Sequence, residues 1–175
     1  MTQHAVLTAI GADRPGLVDE VSRFIFESGG NIEDSRMVNL RGQFAMMLLV
    51  GASSQTMHKL HTHALSLIKQ TGLHVEIRAI EGQKTPGKPA LPYCLIASAM
   101  DQAGLVHRIA RVLREMNVNI EDMQTDLTDA PITGTPLFEM KVTLSVPADL
   151  SISRLRQSLT KLCDESNIDW QLSAL

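Results

Sequence analysis

The sequence repeats itself, and the repeat dictates what the chain can fold into. Displacing it by 88 residues makes 12 of the 28 positions between Leu7 and Asp34 identical. Unrelated stretches of ordinary composition would agree at roughly two. Leu17-Val18 falls on Leu105-Val106, Asp13 on Asp101, Gly16 on Gly104, and Asn31-Ile32-Glu33-Asp34 on Asn119-Ile120-Glu121-Asp122. Past that block the register moves by six, aligning Phe44 with Phe138 and Met46 with Met140, so a loop insertion is expected at Thr128 to Thr135. A length of 175 residues has room for one ordinary domain or two small ones. Duplication decides for two. The stretch Gly82 to Ala90, rich in Gly, Pro and Lys, suits an exposed connection. The expected organisation is therefore residues 1–82, a linker at 83–90, and residues 91–175.

Within each copy the hydrophobic spacing changes period in a fixed order. A strand-length apolar run comes first, His4 to Ile10 and then Tyr93 to Met100. After a turn, Leu17, Val18, Val21, Phe24 and Ile25 recur at helical spacing up to Gly29-Gly30. Leu105, Val106, Ile109, Val112 and Leu113 do the same in the second copy. Asn31 to Leu40 and Gln43 to Gly51 read as a hairpin turning at Arg41-Gly42. A second helix over Ser54 to Thr71, with Leu60, Ala64, Leu67 and Ile68 as its apolar stripe, and a strand over Leu73 to Ile80 complete βαββαβ. The expected fold is α+β: two ferredoxin-like units in tandem, each an antiparallel sheet with both helices on one face. Units of this size are marginal by surface-to-volume scaling, so docking on each other or on another subunit is expected, a homodimer included.

Charge and composition narrow the partners. Acidic residues slightly outnumber basic ones in both halves, the net charge is −3, and no basic cluster stands out. Direct nucleic-acid binding is not expected, since it rests on clustered Lys and Arg, and six aromatics offer few stacking platforms. Cys94 and Cys163 sit in separate apolar stretches and read as reduced core thiols. The first residues lack a basic segment ahead of the apolar run, and no stretch has the apolar length of a membrane span, so a cytoplasmic location is expected.

The best ligand candidates are the turns after the first strand of each copy. Asp13-Arg-Pro-Gly16 and Asp101-Gln-Ala-Gly104 each deliver a glycine to a helix start, where free amides and the helix dipole can hold a carboxylate. The side-chain carbonyl of Asn31 or Asn119, just after the same helix, could accept from an ammonium. The same residues also fit a structural role, with Gly serving the turn, Asp capping the helix and Asn tolerating a left-handed bend. Duplication copies both kinds of residue alike. The copies are unequal: Arg14-Pro15 becomes Gln102-Ala103, and Asp19-Glu20 becomes His107-Arg108. Arg14 favours the first copy for carboxylate binding, and the insertion and extra acidic charge favour the second for partner docking.

The run D-R-P-G-L-V, a helix, and then G-G-N-I-E-D resembles the signature of ACT domains, and the resemblance covers nearly the whole chain. Two such units are similar to stand-alone ACT regulators, those that repress glycine cleavage genes among them. The resemblance implies a ligand held between the loop of one unit and the strand edge of a neighbouring one. Carried over, it implicates Asp13, Gly16, Leu17, Asn31 and Ile32, with Asp101, Gly104, Leu105, Asn119 and Ile120 in the second copy; Arg14 joins the candidates through its charge. It further implies a small amino acid as ligand, glycine first, and a protein partner such as a transcription activator. A regulatory subunit of a biosynthetic enzyme is the alternative.

No catalytic residue, cofactor or metal is assigned. His58, His61 and His63 crowd the second helix, but only His58 and His61 share a face, and no Cys or carboxylate completes a tetrahedral set. Phosphate-binding loops, nucleophile elbows and zinc-hydrolase helices are absent from the sequence. The nine methionines, Met46, Met47 and Met140 among them, read as adaptable core or interface filler.

Overall fold

The computed structural model describes residues 2–80, 89–129 and 134–175, and the chain divides into two compact units, Met1–Gln83 and Lys84–Leu175. The first unit runs β1 (Thr2–Ala12), α1 (Leu17–Ser28), β2 (Asn31–Leu40), β3 (Gln43–Ser53), α2 (Ser54–Thr71) and β4 (His74–Ile80). The second runs β5 (Ala90–Met100), α3 (Leu105–Glu115), β6 (Asn119–Asp129), β7 (Pro136–Pro147), α4 (Ile152–Ser166) and β8 (Asp169–Ala174). Each sheet is antiparallel, ordered β2-β3-β1-β4 and β6-β7-β5-β8. These are two ferredoxin-like βαββαβ units, as the periodicity requires.

Alternation along the central strands decides which face each helix covers. In the first unit Ala5, Leu7 and Ala9 of β1 and Met46, Leu48, Val50 and Ala52 of β3 are buried with Leu17, Val21 and Ile25 of α1. Met57, Leu60 and Leu67 of α2 close this core. Leu95, Ala97 and Ala99 of β5 and Met140, Val142, Leu144 and Val146 of β7 repeat the pattern under Leu105, Ile109 and Leu113 of α3. Each fully buried Leu or Ile stabilises by about 1.5–3 kcal/mol relative to exposure. The six-residue shift is visible in this packing, because Met46, Leu48 and Val50 correspond to Met140, Val142 and Leu144.

Several expected details are corrected. Val18 and Val106 belong to the apolar helical spacing, yet both are exposed, since the stripe at Leu17, Val21 and Ile25 is already enough to cover the sheet. The strands β1, β3 and β5 extend beyond their apolar runs, because backbone pairing continues where side chains turn polar. Ala90, assigned to the linker, pairs with Pro147 as the first residue of β5. Leu73, expected in the last strand, precedes β4 and is buried beneath it. Thr128 and Asp129 continue β6 opposite Leu137 and Pro136 rather than starting the loop. Residues 83–88 of the expected linker and 130–133 of the expected loop insertion lie outside the described residues. The hairpin at Arg41-Gly42 has φ of 50° and 80°, the left-handed pair of a two-residue turn matched to strand twist.

Both cysteines are buried and unpaired. Burial pushes the Cys163 thiol up to about 11, and Asp164 adds to the shift, which suits an inert core residue. Among the described residues no helix is long and apolar enough to cross a membrane.

Candidate functional site

Each strand-to-helix loop is built around a glycine that no other residue replaces cheaply. Gly16 and Gly104 occupy the N-cap positions with φ of 93° and 89°, and neither helix start has a side-chain cap. A left-handed residue here turns the chain from the strand directly into the helix. Backbone amides of the first turn are consequently left without intrahelical acceptors, beside the positive end of the dipole.

Asp13 does not cap α1. Its carboxylate accepts from Asn39 Nδ2 at 2.5 Å, and its amide donates to the Gly42 carbonyl at 2.9 Å. The Asn39 side-chain carbonyl in turn accepts from the Gly42 amide at 3.1 Å. The loop is thereby tied to the β2–β3 hairpin. In the second unit the Asp101 amide reaches the Pro136 carbonyl at 3.0 Å, so the backbone tie is kept.

Arg14, the residue that favoured the first loop for carboxylate binding, already holds a carboxylate. Its two Nη atoms donate to Glu20 at 2.6 and 2.9 Å, the bidentate geometry of a strong charged pair. It also reaches the Gln70 carbonyl at 3.5 Å, latching the loop to the end of α2. These bonds lower the Glu20 carboxyl from its ordinary range, with burial opposing them, and raise Arg14. A group shifted in this direction supports the fold above the ordinary carboxylate range and loses that support as pH falls through its lowered value. The pair is exposed to solvent, so its effect on stability is small. Replacing Arg14 with Gln is expected to move the Glu20 titration midpoint upward, as read by carboxyl carbon NMR; an unmoved midpoint would show the pair does not persist in solution.

The two halves of each proposed site do not meet within one unit. Asn31 is level with Gly51, which pairs with His4 near the start of β1, whereas Asp13 and Gly16 follow the far end of that strand. At ~3.4 Å per residue the ends of the strand from His4 to Ala12 are about 27 Å apart. Asn119 stands opposite Ser145, level with Pro92, and is equally far from Asp101 and Gly104. The expectation that Asn31 or Asn119 completes the loop beside it is overturned, because a helix separates its two ends. Leu17 and Leu105 are core residues at 2% and 3% exposure and can offer a ligand only their backbone. Ile32 and Ile120 are half-buried against the cores just before the bulges in β2 and β6.

Asn119 does border a groove of about 310 Å³, lined by Ala110, Arg114, Asn117, Val118 and Ile120 as well. Its Nδ2 donates to Glu121 at 2.6 Å. Arg114 escaped sequence reasoning although the 88-residue register marks it, since its counterpart is Phe26, which is 78% exposed. Asn117 replaces Gly29 and keeps the left-handed conformation, φ 55° against 91°. His58, His61 and His63 are exposed, and among the described residues no three His, Cys, Asp or Glu side chains are grouped to hold a metal.

Comparison with known proteins bears on both units. Residues 3–78 match the model of the ACT domain family. The structure of an unknown protein from Galdieria sulphuraria superposes with a TM-score of 0.82 at 26% identity, covering 100% of this chain and 99% of that one. The first unit matches the ACT domain family, and the second repeats its fold. The chain is 26% identical over 183 aligned residues to the glycine cleavage system transcriptional repressor of Escherichia coli, covering 99% of its own length and 92% of the repressor. It is 25% identical to phosphoserine phosphatase SerB2 of Mycobacterium tuberculosis over 94% of its own length, but spans 39% of that enzyme. The likeness to the repressor supports a regulatory role for the chain.

Proposed function

We propose that the chain is a non-catalytic, amino-acid-responsive regulator, a transcriptional repressor of glycine cleavage genes that acts in the cytoplasm through a protein partner such as a transcription activator. The observation that carries this reading is a likeness to the repressor extending through both units and nearly the full length of each protein. Glycine is the first ligand candidate, held at a strand-to-helix loop with residues from a neighbouring unit's strand edge. A homodimer would supply such neighbours.

Ligand and partner must be coupled reciprocally. A tenfold effect of glycine on partner affinity needs about 1.4 kcal/mol of differential binding, and partner then changes glycine affinity tenfold. The test is capture of partners on the immobilised chain with and without glycine. Recovery of a transcription factor in glycine-dependent amount is the expected result, and retardation of an operator fragment by the purified chain alone would contradict the reading. The likeness to part of phosphoserine phosphatase SerB2 favours a second reading, a regulatory subunit of an enzyme. Recovery of a biosynthetic enzyme instead would support it.

A further inference from the structure

The two units diverge most in chemistry one helical turn past the loop glycine. In α1 that position is Glu20, whose carboxylate pairs with Arg14 and lies 3.4 Å from where a Cβ on Gly16 would stand. In α3 it is Arg108, whose amide donates to the Gly104 carbonyl at 3.0 Å. The partner position has changed too, from Arg14 to Gln102, whose Nε2 donates to the Ser166 carbonyl at 3.1 Å. Gln102 thus keeps Arg14's latch to the end of the second helix and, being neutral, supplies no counter-charge.

Arg108 is left with its Nε and Nη2 atoms buried and without a hydrogen-bond partner among the described residues. Buried donors are nearly always satisfied, and a guanidinium cannot shed its charge to escape the cost. These two atoms form one edge of the guanidinium, with their N–H bonds parallel. That edge matches the two oxygens of a carboxylate.

The surroundings agree. The first turn of α3 contains no acidic residue, whereas α1 carries Asp19 and Glu20 there. A Cβ built on Gly104 would meet nothing within 4 Å among the described residues, while on Gly16 it meets the Arg14–Glu20 pair. Where the Arg14–Glu20 pair stands beside Gly16, no side chain among the described residues stands beside Gly104.

We propose that Arg108 is a carboxylate-binding residue of the second unit, taking the carboxylate of a small amino acid on its Nε–Nη2 edge. This rests on the amino-acid-sensing reading and deepens it, moving the favoured carboxylate site from Arg14 to the second unit. Burial of both donor atoms favours a small molecule over the side chain of a folded partner.

The experiment follows the Arg108 Nε–H resonance of the intact chain by NMR, with acetate and with glycine as probes, beside calorimetry of glycine with Arg108→Gln and Arg108→Lys. Both probes are expected to shift the resonance. Glycine affinity is expected to fall about ten- to hundredfold in Arg108→Gln and by less in Arg108→Lys, which keeps the charge without the edge. Circular dichroism confirms that each variant is folded. Should glycine bind without moving Arg108, and bind Arg108→Gln as tightly, the site is wrong and the sensor stands. A shift with acetate alone, and no amino acid bound, would sustain the carboxylate site and sink the sensor. Silence with both probes would overturn the Arg108 site.

Discussion

Leu48→Ala is expected to destabilise the first unit by about 2–5 kcal/mol, lowering its melting temperature by some 10 °C or more. Leu48 is 1% exposed in the centre of β3, between Met46 and Val50 on the helix-covered face. Truncation removes its burial energy and leaves a cavity under α1 and α2 that the sheet cannot close, because β3 is paired on both sides. Leu65 lies on α2 at 69% exposure, and Leu65→Ala should change stability by no more than about 0.5 kcal/mol. Chemical denaturation of both variants checks the pair. A small loss in Leu48→Ala would mean the alternation along β3 does not define the core.

Gly16→Val carries the next largest effect. A β-branched residue is strained at φ 93°, which costs about 1–3 kcal/mol. The new side chain also starts 3.4 Å from Glu20 Oε1, so the Arg14–Glu20 pair must shift. Gly104→Val has the same backbone strain at φ 89° but open space around it. Both variants are therefore expected to lose stability in urea, and only Gly16→Val to raise the Glu20 titration midpoint. Equal titration curves in the two variants would show that the loops do not differ as their side chains indicate.

The fold was legible because duplication displayed the same periodicities twice. Apolar alternation in β1 and β3 and helical spacing in α1 are local signals, and each recurs in β5, β7 and α3. Element ends were less so, since pairing such as Ala90 with Pro147 depends on a strand far along the chain. The candidate site was legible only in parts. Glycine at the helix starts was readable from the turn, but the distance between Asp13 and Asn31 is set by how β1, β3 and β2 align. Arg14 looked free because its partner Glu20 lies six residues ahead, on the first turns of a helix. The exchange of Glu20 for Arg108 was visible as a difference, while its consequence, two buried donors without partners, required the packing.

Regulation by an amino acid is the claim on which the functional account depends. Its most direct test is the melting temperature of the intact chain measured in the presence of each of the twenty amino acids. A ligand at a hundred times its dissociation constant stabilises by about 2.7 kcal/mol, enough for a shift of several degrees. The account predicts such a shift with glycine or another small amino acid, and its loss when the amino acid's carboxylate is replaced by an amide. Melting temperatures unmoved by all twenty at millimolar concentration would contradict it.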